Sequence, residues 1–155
     1  MRKARAKKRI LSPDPRFNDI LVTRFVNNLM WSGKKSTAYN VFYDALDIVE
    51  KKTQERGIDV WKKALNNVMP AVEVKARRVG GATFQIPMEV PADRRIAVGM
   101  KWMINYARSR NEKSMTDKLA GEVIAASKGE GASVKKREDT HKMAEANKAF
   151  SHFKV

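Results

Sequence analysis

Two histidines and a few carboxylates are the side chains whose types could do acid, base or metal chemistry. His141 and His152 lie eleven positions apart in a basic segment, without the His-Glu-x-x-His pattern of zinc proteases. Asp44, Asp47 and Glu50 fall at helical spacing, which favours ion pairs with lysines over a catalytic pair. The chain has no cysteine, which excludes disulfides, thiolate catalysis and Cys-based zinc sites. We therefore predict no enzymatic activity, metal site, cofactor or small-molecule substrate, and a position for His141 at the surface or facing a ligand.

The segment Gly33-Lys34-Lys35-Ser36 superficially matches the end of a phosphate-binding P-loop. That motif needs another glycine five positions before Gly33, where this chain has Asn28, and it needs a preceding strand that the sequence does not predict. We interpret the segment as a loop between two helices, whose lysines and following helix start favour an RNA phosphate. An ordinary capped turn is the alternative.

Positive charge is the dominant chemical property of the chain. Its 32 Lys and Arg against 17 Asp and Glu give a net charge of +15 and a pI near 10.2, which is typical of proteins that bind polyanions. An anionic membrane would also attract this charge, but the sequence has no run of about 18–20 apolar residues that could span one. Nucleic acid is therefore the predicted partner, and the lack of cysteine fits a reducing cytoplasm.

The first nine residues hold six cations and no acid, which predicts a disordered basic arm that contacts nucleic acid. A solubilising tail is the alternative. Most of the net charge lies beyond this arm, so the basic character also belongs to the predicted folded part. The cations of the arm are Arg2, Lys3, Arg5, Lys7, Lys8 and Arg9.

Apolar residues at three- and four-residue spacing predict three helices in the first half of the chain. The first follows a turn at residues 12–15, covers DILVTRFVNNLMW and is ended by Gly33. The second spans about Ser36–Lys52, with Ser36 or Thr37 as its cap. Gly57 then breaks the chain, and a third helix capped by Asp59 ends at Pro70.

The period then changes from helical to alternating in VEVKARRVGGATFQIPMEV. Two alternating runs joined through Gly80-Gly81 predict a β-hairpin over about residues 72–90. A two-stranded ribbon is marginal alone in water, so its base is expected to pack on helices while its tip projects. Arg77 and Arg78 lie near that tip on opposite faces, as suits a ribbon that reaches into a groove.

Three further helical segments are predicted after the hairpin. Asp93 caps one that continues to about Arg110, and another spans about Met115–Ser127. The last segment, Ala132 to about Phe150, has few apolar residues, which is typical of a helix at the periphery of a fold. Lys135, Lys136 and Arg137 lie near its start, where cations oppose the helix dipole, and this placement favours an anionic ligand.

Three long segments resemble those of a known family in the right order. They are NVMPAVEVKARRVGGATFQIPMEV with the following PADRR, the ending SVKKREDTHKMAEANKAFSHF, and the upstream DPRFNDILVTRFVNNLMWSGKKSTAYNVFYDALD. Together they resemble small-subunit ribosomal protein seven, in its bacterial or organellar form, from about Ser12 to Phe153. Trp31 and Ser32 depart from the loop often found in that family, and Phe84 stands where tyrosine is common.

The resemblance implies a helical domain of six helices with one protruding β-hairpin. It also implies a primary binder of small-subunit ribosomal RNA that nucleates folding of the head, the 3′ major domain. Such proteins are expected near the exit-site tRNA and the messenger RNA path at the subunit interface, beside small-subunit proteins nine and eleven. Repression of the protein's own operon message is a further expectation from some members.

The residues expected to bind ribosomal RNA follow from the matched segments and from the positive surface of the fourth helix. The hairpin tip, with Gly80 and Gly81, is expected near the tRNA and messenger. The RNA-facing set comprises the arm cations, Lys34, Lys35, Ser36, Arg77, Arg78, Arg94, Arg95, Arg108, Arg110, Lys135, Lys136 and Arg137.

The predicted architecture is therefore mainly α: a single domain of about six helices over residues 12–155, with a protruding two-stranded antiparallel hairpin and a disordered arm at residues 1–11. The predicted location is the small subunit of a cytoplasmic ribosome. An architectural DNA-binding protein is the alternative, because a basic hairpin could also enter a DNA groove.

Overall fold

A computed structural model describes residues 9–153. The predicted arm cations Arg2, Lys3, Arg5, Lys7 and Lys8 lie outside this described part, and Arg9 is exposed at its edge. The mainly helical class with one two-stranded antiparallel sheet is confirmed. The elements are α1 Ile20–Leu29, α2 Lys35–Thr53, α3 Gly57–Val68, β1 Val72–Val79, β2 Ala82–Glu89, α4 Ala92–Arg108, α5 Met115–Ser127, α6 Ala132–Ala146 and a 3-10 helix Lys148–Phe153.

An aromatic cluster joins the first three helices. The ring centroid of Phe25 lies 5.3 Å from that of Phe42 and 5.4 Å from that of Trp61, and all three side chains are fully buried. Each lies on the apolar stripe that the helical spacing predicted. Burial of each such side chain contributes about 1.5–3 kcal/mol, so this cluster anchors the core.

Helix α5 is the central element of the helical layer and contacts α2, α3, α4 and α6. Its buried face includes Leu119, Ala120, Val123 and Ala126. Because alanine side chains are short, neighbouring helices can approach α5 closely on several sides. The remaining elements are therefore positioned relative to this helix.

Three of the helix starts differ from the predicted capping pattern, those of α2, α3 and α4. Helix α2 begins at Lys35, and within the described chain neither Ser36 nor Thr37 caps it, because Lys34 occupies the cap position and makes no side-chain bond. Helix α4 begins at Ala92 after Pro91, which places Asp93 in the first turn instead of at the cap. At that position its carboxylate still interacts favourably with the positive end of the helix dipole.

Gly57 begins α3 instead of breaking the chain before it, so Asp59 lies in the first turn and the predicted cap is wrong. A Cβ atom at Gly57 would lie 2.5 Å from the carbonyl oxygen of Leu46 in α2. The Gly57 amide also donates to the Glu50 carboxylate at 3.3 Å. Close backbone approach explains why glycine stands at this helix start.

The two strands pair in a register that places their apolar residues on opposite faces of the ribbon. Val74 pairs with Pro87, whereas Lys75 pairs with Ile86. Both turn glycines have positive φ, 57° at Gly80 and 91° at Gly81, as a tight two-residue hairpin turn requires. The predicted hairpin is confirmed.

Contacts that support the hairpin are not confined to its base and continue toward the tip as far as Phe84. Helix α6 contacts β1, and the 3-10 helix contacts β2. The ring centroids of Phe84 and Phe150 are 5.2 Å apart, and Phe84 pairs with Arg77 in the ladder. The part beyond this contact, from Arg78 to Thr83, is mostly exposed. Among the described helices, none is long and apolar enough to cross a bilayer.

Candidate nucleic-acid interface

The loop between α1 and α2 presents two lysines at a helix start. Lys34 and Lys35 are exposed, as is Ser36. The backbone turns sharply through Gly33 at a φ of 72°, and the Lys35 amide donates to the Gly33 carbonyl at 2.8 Å. Because no side chain of the described residues caps α2, its first amides and dipole favour an anion there.

The hairpin tip carries cations on both faces. Arg77 pairs with Phe84 and Arg78 with Thr83, so the two guanidinium groups leave the ribbon on opposite sides. Both arginines are exposed. An RNA strand or groove on either side of the ribbon could therefore meet a guanidinium group.

The first turn of α4 places two arginines at the base of the hairpin. The Arg94 Nε atom lies 2.9 Å from a Glu73 carboxylate oxygen, which offsets part of its charge. Arg95 is half-buried, and its Nε atom is buried without a hydrogen-bond partner among the described residues. The buried Nε atom is out of reach of an RNA, but of the two guanidinium groups that of Arg95 is less offset by a carboxylate among the described residues.

Arg108 and Arg110 have different surroundings at the end of α4. Arg108 donates to the Leu29 carbonyl at 3.1 Å and lies 4.7 Å from the Trp31 ring centroid. Arg110 contacts Glu112 at 2.9 Å and Glu122 at 3.1 Å. Both carboxylates offset its charge, so Arg110 stabilises the fold, and its contact with RNA stays a prediction.

Helix α6 divides its basic run between surface and core. Lys135 and Lys136 are exposed and, among the described residues, pair with no carboxylate. Arg137 is half-buried, and its guanidinium donates to the Asn67 carbonyl at the end of α3. The two lysines are thus available to a ligand, while Arg137 joins α6 to α3.

His141 is half-buried at the surface and also forms a hydrogen bond within the fold, which the sequence did not predict. Its Nε2 atom accepts a hydrogen bond from the Ala71 amide at 3.0 Å, just before β1. Burial, and then the charge of Arg137, hold the pKa of His141 below its ordinary value. The neutral ring therefore fastens the hairpin base to α6.

The carboxylates of α2 also serve the fold, although not through lysines. Asp47 pairs with Arg16 at 2.8 Å, and Glu50 accepts from the Gly57 amide. In the part of the chain that the structure describes, no cluster of three or more His, Asp or Glu could hold a metal ion.

Lys113 and Lys118, which the sequence did not single out as site residues, lie beside the α1–α2 loop. Trp31, Lys113 and Lys118 line a cleft together with Lys34 and Arg108. Lys113 and Lys118 belong to the polar, charge-balanced stretch NEKSMTDK, and its distance from Lys34 along the chain gave no signal of their proximity. Packing of α5 on α2 and of α4 on α1 brings the two segments together.

Comparison with known proteins gives the family. A family model described as ribosomal protein S7p/S5e matches residues 1–148. The small ribosomal subunit protein uS7 of Cytophaga hutchinsonii is 72% identical over 154 residues, covering 99% of each chain. That of Flavobacterium psychrophilum is 72% identical over 157 residues, again with 99% of each chain covered. That of Gemmatimonas aurantiaca is 60% identical over 153 residues, covering 99% of this chain and 98% of the relative.

These similarities extend over nearly the whole chain and confirm the resemblance drawn from its three segments. The family consists of structural proteins of the ribosome, which confirms the prediction that the chain is not an enzyme. The chain belongs to the ribosomal protein S7p/S5e family, as a protein of the small ribosomal subunit.

Proposed function

We propose that this chain is a primary binder of small-subunit ribosomal RNA that nucleates folding of the head, the 3′ major domain. The observation that carries the proposal is a set of exposed cations, on separate elements, that no described carboxylate neutralises. It includes Lys34 in the α1–α2 loop, Arg78 at the hairpin tip, and Lys135 and Lys136 on α6. Arg95 adds a half-buried cation that pairs with no carboxylate among the described residues.

The spacing of these cations suits a folded RNA better than a single straight strand. The α1–α2 loop and α6 belong to one packed helical body, and the hairpin joins that body through α6 and the 3-10 helix, so the relative placement of the sites is largely set before binding. A-form RNA has a deep, narrow major groove, and proteins therefore recognise its phosphates, junction shape and unstacked bases. A rigid set of cations would favour one arrangement of a multihelix junction over others.

Within the assembled subunit, we propose that the hairpin tip lies near the exit-site tRNA and the messenger RNA path. Its exposure and its two-faced charge support this placement. We also propose small-subunit proteins nine and eleven as neighbours, and repression of the chain's own operon message as a second use of the RNA-binding surface. The family resemblance supports these expectations.

Footprinting of isolated head-domain RNA tests the main proposal. We expect the protein to protect one multihelix junction and to bind this RNA more tightly than a scrambled RNA of equal length. Duplex DNA added as a competitor at physiological salt should displace little protein. Equal affinity for the scrambled RNA, or preferential loss to DNA, would contradict the proposal.

A further inference from the structure

A cleft of about 460 Å³ opens between the α1–α2 loop and the α4–α5 turn. Leu29, Val41 and Met115 contribute apolar walls. This volume falls in the range of about 300–1,000 Å³ that is usual for small-ligand sites. The cleft is large enough for a planar group the size of a nucleobase.

The charge of the lining selects the kind of ligand. Four of the lining residues are cations, and among the described residues that line the cleft none is acidic. Lys34 and Lys113 are exposed and pair with no carboxylate in the described part of the chain. An apolar peptide would leave these cations without partners, whereas a nucleotide offers both a base for the walls and a phosphate for the rim.

Trp31 supplies an aromatic surface at the mouth of the cleft. Its side chain is 72% exposed, and the Arg108 guanidinium lies 4.7 Å from its ring centroid. Arg108 is itself fixed by its bond to the Leu29 carbonyl, and its own carbonyl accepts from Lys118 Nζ at 3.2 Å. The ring is therefore supported by an anchored guanidinium and still exposes most of its surface.

We propose that this cleft binds one unpaired nucleotide of an RNA strand, with its base stacked on the exposed surface of Trp31. The adjoining phosphates contact Lys34 and Lys113. The inference rests on the proposed function and names a site within it. Stacking of a base on an aromatic ring tolerates any base, because every base has a π face. Trp31 would thus add contact energy without reading sequence.

A comparison of two strands isolates the stacking contribution. One is a short single-stranded oligoribonucleotide, and the other is an abasic strand with the same number of phosphates. W31A should weaken binding of the first by about tenfold, within the range for loss of one base–aromatic stack, and leave the second unchanged. W31F should retain most of the binding, because phenylalanine keeps a π face.

Lysine variants test the rim. The double variant K34A/K113A should weaken binding of both strands. It should also make the slope of log affinity against log salt less steep, because each phosphate that loses its lysine contact keeps its counterion on binding. K51A, at an exposed lysine near the other end of α2, is the matched control. The unfolding transitions of the Trp31 and lysine variants, all at exposed positions, should match that of the wild type.

Three results would overturn the inference. In the first, W31A weakens binding of the abasic strand as much as that of the intact strand. In the second, W31A weakens binding of neither strand. In the third, W31A binds RNA like the wild type but binds another small-subunit protein more weakly. The same variants are assayed on head-domain RNA. If the wild type binds that RNA specifically while W31A has no effect, only the nucleotide site fails. If the wild type does not prefer that RNA to a scrambled one, the proposed function itself fails.

Discussion

At the scale of single residues, Glu122 is the carboxylate most deeply enclosed in the fold. Its side chain has no exposed surface. One carboxylate oxygen accepts from the Ser133 amide and hydroxyl, and the other accepts from Arg110. Because Gly131 at the start of α6 has no side chain to act as a cap, Glu122 of α5 satisfies these first donors of α6 instead.

Replacement of Glu122 should therefore destabilise the protein. E122A leaves the Ser133 donors buried without a partner and should lower the free energy of unfolding by about 2–3 kcal/mol. Urea denaturation measures this change. E130A, at an exposed glutamate nearby, is the control and should change the free energy by less than about 0.5 kcal/mol. Equal effects of the two substitutions would contradict the capping role.

His141 predicts a pH dependence of stability. Its pKa is lower in the folded chain than its ordinary value of 6.5, chiefly through burial. The unfolded chain therefore binds the proton more readily, so the stabilisation is complete above about pH 6.5 and is lost as pH falls through the folded-state pKa. Protonation also removes the acceptor for the Ala71 amide.

Urea denaturation of the wild type and of H141N, from about pH 5 to pH 7.5, measures this contribution. The wild type should lose more stability on acidification than the variant. H152N should behave as the wild type, because His152 lies exposed near the end of the described chain. An unchanged pH profile in H141N would show that another group titrates.

At the scale of elements, the contact between α2 and α3 depends on the absence of a side chain at Gly57. In G57A the new Cβ atom would lie 2.5 Å from the Leu46 carbonyl oxygen, which forces the two backbones apart. We expect a loss of about 1–3 kcal/mol of unfolding free energy, despite the better helix propensity of alanine. Thermal or urea unfolding measures it.

G99A is the matched comparison for this prediction. A Cβ atom at Gly99 would lie 2.8 Å from the Met69 Cγ atom, a side-chain atom, and 3.4 Å from the Met69 Cα atom, so no backbone atom is as close as at Gly57. The loss in G99A should therefore be smaller than in G57A. The reverse order would mean that the α2–α3 backbones can separate at little cost.

The hairpin can be shortened without changing its register. Arg78 pairs with Thr83, and Val79 with Ala82. Deleting these four residues moves Gly80-Gly81 between Arg77 and Phe84 and preserves the Phe84–Phe150 contact. Because the deleted pairs lie beyond that contact, the unfolding free energy should stay near the wild-type value, and head-RNA affinity should lose only the contribution of Arg78.

Ribosomes that carry the shortened hairpin should instead show altered exit-site tRNA retention or reading-frame maintenance. A reporter that requires a frameshift measures the second property. A variant with alanine at Lys51 and Lys52, exposed lysines on α2, is the control for loss of positive charge. Failure of the shortened protein to assemble into heads would contradict the separation between RNA anchoring and the tip.

At the scale of the whole molecule, the spread of exposed cations predicts a steep salt dependence of RNA binding. Each phosphate that a cation neutralises releases counterions, so log affinity should fall linearly with log salt. Alanine at Lys135 and Lys136 should reduce the slope by about one to two units. R110A should leave the slope unchanged, because Glu112 and Glu122 already offset that charge. Equal slopes for the wild type and the double lysine variant would remove α6 from the interface.

Most helices and the hairpin could be predicted from local patterns. The stripes of α1 to α5 and the Gly80-Gly81 turn depend on residues a few positions apart, and the described elements lie within a few residues of the predicted bounds. The helix starts were less predictable. Gly57 and Pro91 decide where α3 and α4 begin through backbone contact and ring geometry, while Asp59 and Asp93 only resemble caps.

The sequence by itself determined the class of partner, the helical class with one hairpin, and the family, because net charge, periodicity and matched segments are properties of the chain alone. Only the tertiary structure decided which cations remain available. Arg110 meets Glu122, Arg137 meets Asn67 and His141 meets Ala71, across separations of 12 to 70 residues. Such pairings depend on how helices pack, and the same packing brings Trp31 and Lys113 to one cleft.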